Sequence, residues 1–206
     1  MAKPRFINLI VIRSGECDWD RESRLVGRAD LPLSGDGLER VAVEATALDG
    51  VSLSSILHPP EQCCRATAEA YASVTGARCR SVADLVDVDL GLWEGLRRDE
   101  LVEKFPKAFG RWIEDPAEVA VPEGEPMLDA QTRLVAAFAK ACEKLRNTDP
   151  GVGLVLRPMA YGLLRCWLSG QPASELWNVA NEPGFAWYEV PRDRLREARL
   201  GVPTGG

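Results

Sequence analysis

The tightest constraint on this chain is a short apolar run that stops on a polar tetrad. Leu9-Ile10-Val11-Ile12 is followed at once by Arg13-Ser14-Gly15-Glu16. A continuous apolar run, without polar alternation, reads as a strand covered on both faces. A polar, glycine-containing tetrad at its carboxyl end marks the edge where open α/β sheets bind ligands. The same grammar continues along the chain. Strands are predicted over 6–13, 53–57 (halted by Pro59-Pro60), 78–82, 153–156 and 185–190. Between them run predicted helices. The first starts at the N-cap Ser34, carries Leu38, Val41, Ala45 and Leu48 on one face, and ends at Asp49-Gly50. Others cover 61–74 before Gly76, 99–112 with an interruption at Pro106, 128–146 with an apolar face of Leu134, Val135, Phe138, Cys142 and Leu145, and 160–168 before Gly170. Alternating strands and helices predict an α/β fold: a three-layer α/β/α sandwich around a mostly parallel central sheet. Residues 14–33 form a long charged loop, of the kind that compact domains keep for function, and the tail beyond Leu200 is expected to fray.

The 206 residues suit one domain with a core over about 6–190, and 46% hydrophobic residues fill it. A net charge of -6 repels nucleic acid and anionic membranes, so neither is expected as a partner, and any anion site must be a local basic pocket. No stretch approaches the roughly 20 apolar residues of a membrane span. The run after Lys3 and Arg5 stops too early for a signal peptide. The cysteines Cys17, Cys63, Cys64, Cys79, Cys142 and Cys166 lack Cys-x-x-Cys spacing and read as reduced thiols. Together these features point to a cytoplasmic protein.

The first strand and its tetrad resemble the opening signature of the histidine phosphatase (phosphoglycerate mutase-like) superfamily, Arg-His-Gly-Glu-Thr-x-Trp-Asn. Arg13, Gly15, Glu16 and Trp19 match it; Ser14, Cys17 and Asp20 stand where the family has His, Thr and Asn. The resemblance continues in family order through Asp30, Pro32, Leu33, Ser34 and Gly37, then Thr67-Ala68-Glu69-Ala70, then Gly91, Trp93, Glu94 and Gly95, and Gly124-Glu125. It implies the phosphoglycerate mutase-like fold. It also implies phosphoryl transfer to a histidine nitrogen, with two arginines and a second histidine around the phosphate and a carboxylic acid protonating the leaving oxygen.

Residue by residue, this chain departs from that machinery. The first phosphate-binding arginine is Arg13. The nucleophile position holds Ser14, the second arginine position holds Cys63, the acid position holds Asp87, and the second histidine falls to Arg157. Arg65 lies two positions from Cys63, which turns it about half-way round the helix. The one histidine, His58, closes the second strand at neither catalytic position. Glu16, Asp20, Arg24 and His58 complete the candidate pocket. The expectation is therefore an impaired or inactive family member that retains phosphate or phospho-ligand binding through Arg13 and Arg157. An active phosphomonoesterase needs an unusual nucleophile; Ser14 would require an oriented base. Cys63 and Cys64, on the first turn of a helix, read as buried thiols. A third possibility is a scaffold that binds a protein partner, with Arg157 paired internally to Asp87 or Glu16 and the pocket filled. No cofactor is expected. A Cys17–Cys63–His58 metal site follows no known ligand spacing, so no metal is expected either.

Overall fold

The computed structural model describes residues 6–143, 145, 150–182 and 184–199. In chain order the elements are β1 (Phe6–Arg13), α1 (Asp18–Arg21), α2 (Gly35–Ala45), β2 (Ser55–His58), α3 (Gln62–Thr75), β3 (Arg78–Ser81), α4 (Arg98–Lys104), α5 (Pro106–Glu114), α6 (Met127–Cys142), β4 (Val152–Leu156), α7 (Pro158–Ser169), α8 (Leu176–Ala180), β5 (Phe185–Pro191) and α9 (Arg192–Arg199). The sheet order is β3-β2-β4-β1-β5. β1 to β4 are mutually parallel, and β5 returns antiparallel along β1.

The two faces of the sheet are read by strand alternation. Leu9 and Val11 of β1, with Leu154 and Leu156 of β4, pack into a large cluster with α6 and α7. Ile10 and Ile12, with Ile56 and Val155, pack on the other side against Val41 and Ala45 of α2 and Cys63, Cys64 and Ala68 of α3. This is the expected α/β/α sandwich. β4 is buried along its whole length, as a central parallel strand must be.

Several boundaries follow from local chemistry. Ser34 caps α2 by accepting a hydrogen bond from the Gly37 amide. Gly76 and Gly170 close α3 and α7 in the left-handed conformation. Pro106 does split the helical stretch predicted over 99–112, opening α5 at its first position. Two expectations need correction. Leu38 is 53% exposed rather than part of the apolar face of α2. The buried line of α2 runs through Gly37, Val41 and Ala45, and Leu38, one residue on from Gly37, is turned about 100° away from Gly37 around the helix. The loop over 14–33 is also not wholly irregular, because α1 forms inside it. The tail beyond Leu200 lies outside the described residues, as do 144 and 146 of the expected helix over 128–146.

Candidate active site

The carboxyl ends of β1, β2 and β4 bring the candidate residues together. β1 and β4 pair Arg13 with Leu156, and the Ser14 amide donates to the Leu156 carbonyl at 2.8 Å. Ser14 and Arg157 therefore leave neighbouring strands side by side. Continuing the alternation from Ile12, Ile56 and Val155 sends Ser14, His58 and Arg157 towards the α3 face. Arg13, the last residue of β1, donates from Nε to the Ala180 carbonyl at the end of α8 at 3.0 Å and lines an open pocket together with Ser14, Gly15 and Glu16.

Arg157 is the centre of the site. It caps α7 and is only 2% exposed. Its Nη1 lies 3.3 Å from Oδ2 of Asp20, and its Nη2 lies 3.4 Å from Oδ1 of the same carboxylate. Nη1 also approaches Sγ of Cys63 at 3.6 Å. Asp20 is held in turn by Cys17, whose amide (2.8 Å) and thiol (3.1 Å) both donate to Oδ2. Burial raises the Asp20 carboxyl, but the Arg157 charge and the Cys17 hydrogen bonds bring it below its ordinary value. Burial pushes the Cys17 thiol up to about 11. The Cys63 thiol is lowered by a hydrogen bond from Cys64 and by Arg157, whereas burial holds Cys64 well above the usual thiol range.

Asp87 lies behind this pair, 2% exposed. Its Oδ1 accepts the Ala160 amide at 2.7 Å, satisfying one of the open amides in the first turn of α7. Its own amide donates to Oε1 of Glu61 at 3.2 Å. Burial pushes the Asp87 carboxyl up to about 6, against the opposing pull of Arg157 and the Val88 and Ala160 amides. Glu61, 4% exposed, is also raised by burial. Nothing in the sequence pattern marked it beyond its place after Pro59-Pro60. Ser14 Oγ, Glu61 Oε2 and Arg157 Nε are buried without a hydrogen-bond partner among the described residues.

The remaining candidates stand apart from Arg157. Glu16 pairs with Arg40 at 3.1 Å. Arg24 bonds Glu22 and the Gly95 carbonyl. His58, 4% exposed, has Nδ1 2.7 Å from the Pro59 carbonyl. Arg65 is exposed. Of the two readings of Arg157, the geometry assembles the internal pair, with Asp20 as its partner in place of Asp87 or Glu16. Arg13 is bonded to the Ala180 carbonyl and borders the open pocket beside Ser14. Among the described residues, no group of three or more His, Cys, Asp or Glu side chains is placed to hold a metal ion.

The matched motif positions outside the site carry structural duties. The Thr67 hydroxyl donates to the Cys63 carbonyl and accepts the Gly15 amide, tying the tetrad after β1 to α3. Asp30 caps α3 through the Gln62 amide at 2.7 Å. Glu94 accepts the Arg28 and Leu90 amides, and Glu125 joins Arg28 and Arg133. These are the contacts that hold a phosphoglycerate mutase-like sheet edge in shape.

The fold and the arrangement of loops over this edge define a histidine phosphatase-type domain. The model of the histidine phosphatase superfamily (branch 1) matches residues 9–202, and the chain belongs to that superfamily. It is 27% identical over 172 residues to phosphoserine phosphatase 1 of Hydrogenobacter thermophilus, covering 84% of this chain and 81% of that protein. It is 26% identical over 167 residues to a probable phosphoglycerate mutase, GpmB, of Escherichia fergusonii, covering 81% and 77%. Among solved structures, YhfR of Bacillus stearothermophilus superposes with a TM-score of 0.76 at 25% identity, covering 86% of this chain and 87% of that one. A mycobacterial glucosyl-3-phosphoglycerate phosphatase, in complex with VO3, superposes at 0.77 and 24% identity, covering 88% and 89%, and shares the fold.

Proposed function

We propose that this chain is a histidine phosphatase-fold protein without phosphohistidine chemistry, its phosphate position filled by its own side chains. The observation that carries this reading is the state of Arg157: 2% exposed, forked onto Asp20 and against Cys63, at the position of the second catalytic histidine. A phosphoryl group needs a nucleophile, open cationic donors and room. Ser14, Cys63, Asp87 and Arg157 are each 2% exposed or less. Ser14 Oγ touches no base among the described residues, so nothing there activates a serine nucleophile. Asp87 is spent on the α7 amide. The chain then works as a scaffold, with a protein or a phosphorylated small molecule as partner. Free thiols throughout, five of the six buried, support the expected cytoplasmic, reducing setting.

The test is a phosphoenzyme trap. The protein is mixed with a 32P-labelled phosphomonoester, quenched, and assayed for protein-bound label that is lost in acid and stable in base. The reading predicts no labelled protein above a heat-denatured control. Stoichiometric label on the protein would overturn it.

A further inference from the structure

We propose that α1 is a latch whose Asp20 carboxylate stands in for a tetrahedral oxyanion, and that releasing it opens an oxyanion site on Arg157. This rests on the reading that Arg157 fills the phosphate position.

Three observations lead here. First, Asp20 meets the guanidinium as an oxyanion would, one carboxylate oxygen on each terminal nitrogen at 3.3 and 3.4 Å. Second, the pair is unequal in depth. The Asp20 side chain is 20% exposed and the Arg157 side chain 2%, so the carboxylate plugs the mouth and the cation lies beneath. Third, the closed state leaves donors unused. Ser14 and Arg157 leave neighbouring strand ends, both 2% exposed, and neither Ser14 Oγ nor Arg157 Nε has a partner among the described residues. A phosphate or phosphomonoester brings more acceptor oxygens than the two of a carboxylate, so it can satisfy donors that Asp20 leaves idle.

The latch is a small element. α1 spans four residues and buries none of them. It is held at one end by Cys17, fully buried, and over its middle by Trp19, whose ring lies against Gly95. At its other end Ser23 has φ 57°, a left-handed conformation in a non-glycine residue. Because Asp20 is on the same chain, its effective concentration at Arg157 is high, and an added anion must compete with it. The groups opposing an anion are Asp87 and Glu61, both behind Arg157. The neighbouring thiols are Cys17, Cys63 and Cys64.

The experiment compares inorganic phosphate binding to wild type and Asp20→Asn by calorimetry and thermal shift at low salt. Asp20→Asn should bind phosphate about tenfold more tightly or better, and phosphate should raise its melting temperature more than that of wild type. Adding Arg157→Met should abolish both effects. Folded Asp20→Asn with no phosphate response overturns the latch. Should Asp20→Asn not fold, Asp20→Ser is used on the same criteria. In wild type, hydrogen exchange across 17–24 should quicken at saturating phosphate, and unchanged exchange there contradicts the proposal. Wild-type turnover of a phosphomonoester would instead overturn the proposed function. A silent Asp20→Asn leaves that reading standing, so the two failures are distinct.

Discussion

Nη1 of Arg157 lies 3.3 Å from Oδ2 of Asp20, joining the cap of α7 to a four-residue helix 137 positions earlier in the chain. On the proposed reading, the pair fills the place where the family's machinery would hold phosphate. A buried cation needs a counter-charge, and here that counter-charge comes from the loop after β1. Electrostatics thus fixes the conformation of the loop, and the loop closes the sheet edge.

The two partners should respond unequally to removal. Asp20→Ala leaves a guanidinium at 2% exposure without its carboxylate, and should cost about 3 kcal/mol. Arg157→Met replaces the buried cation with an apolar side chain and leaves Asp20 near water, still bonded to Cys17. It should cost less than half as much. Urea denaturation of the two variants beside wild type checks the order.

Stability should fall as pH rises through the range of Asp87. Its carboxyl is raised from 3.8 to about 6 by burial, so the folded chain holds that proton more tightly than the unfolded chain. The folded state therefore loses stability between about pH 4 and pH 6, by roughly 3 kcal/mol at most. Glu61 shifts in the same direction. Asp20 is shifted downward, so its contribution is present above 3.8 and is lost as pH falls through its folded value. The expected profile rises from pH 7 towards about pH 4 and then drops. Melting temperature against pH measures it, and Asp87→Asn should flatten the limb between about pH 4 and pH 6.

Gly91→Ala should destabilise the protein by about 2 kcal/mol or more. Gly91 has φ +46°, and an added Cβ would lie 2.3 Å from the Pro122 carbonyl oxygen. The displaced loop carries Trp93, packed edge-on to Trp112 with ring centres 5.7 Å apart. Chemical denaturation and near-ultraviolet circular dichroism of the aromatic cluster provide the readouts.

The strand pattern was legible where the strands carry apolar runs, Leu9–Ile12 in β1 and Leu154–Leu156 in β4, and at β2 through the Pro59-Pro60 stop; the helices were legible because Ser34, Gly76, Pro106 and Gly170 mark their ends. The candidate site was legible as positions: Ser14, Cys63, Asp87 and Arg157 do gather beside the strand ends. Pairing was not legible. Whether Arg157 meets Asp20, Asp87 or Glu16 depends on where the loop over 14–33 lies in space, and periodicity carries no information about that. Glu16 is drawn off by Arg40 and Asp87 by the Ala160 amide, which leaves Asp20. Arg13 was placed with Arg157 by motif, and its bond to the Ala180 carbonyl, 167 positions away, was not legible. Glu61 escaped notice because a lone acid at a helix start is already accounted for by the helix dipole, which favours negative charge there.

The central claim is that this sheet edge, with its phosphate position filled, turns over no phosphomonoester. Steady-state release of phosphate from p-nitrophenyl phosphate, phosphoserine and 3-phosphoglycerate, by purified wild type beside Ser14→Ala, tests it most directly. The account predicts rates at background for both proteins with all three compounds. Robust wild-type turnover that disappears in Ser14→Ala would contradict it.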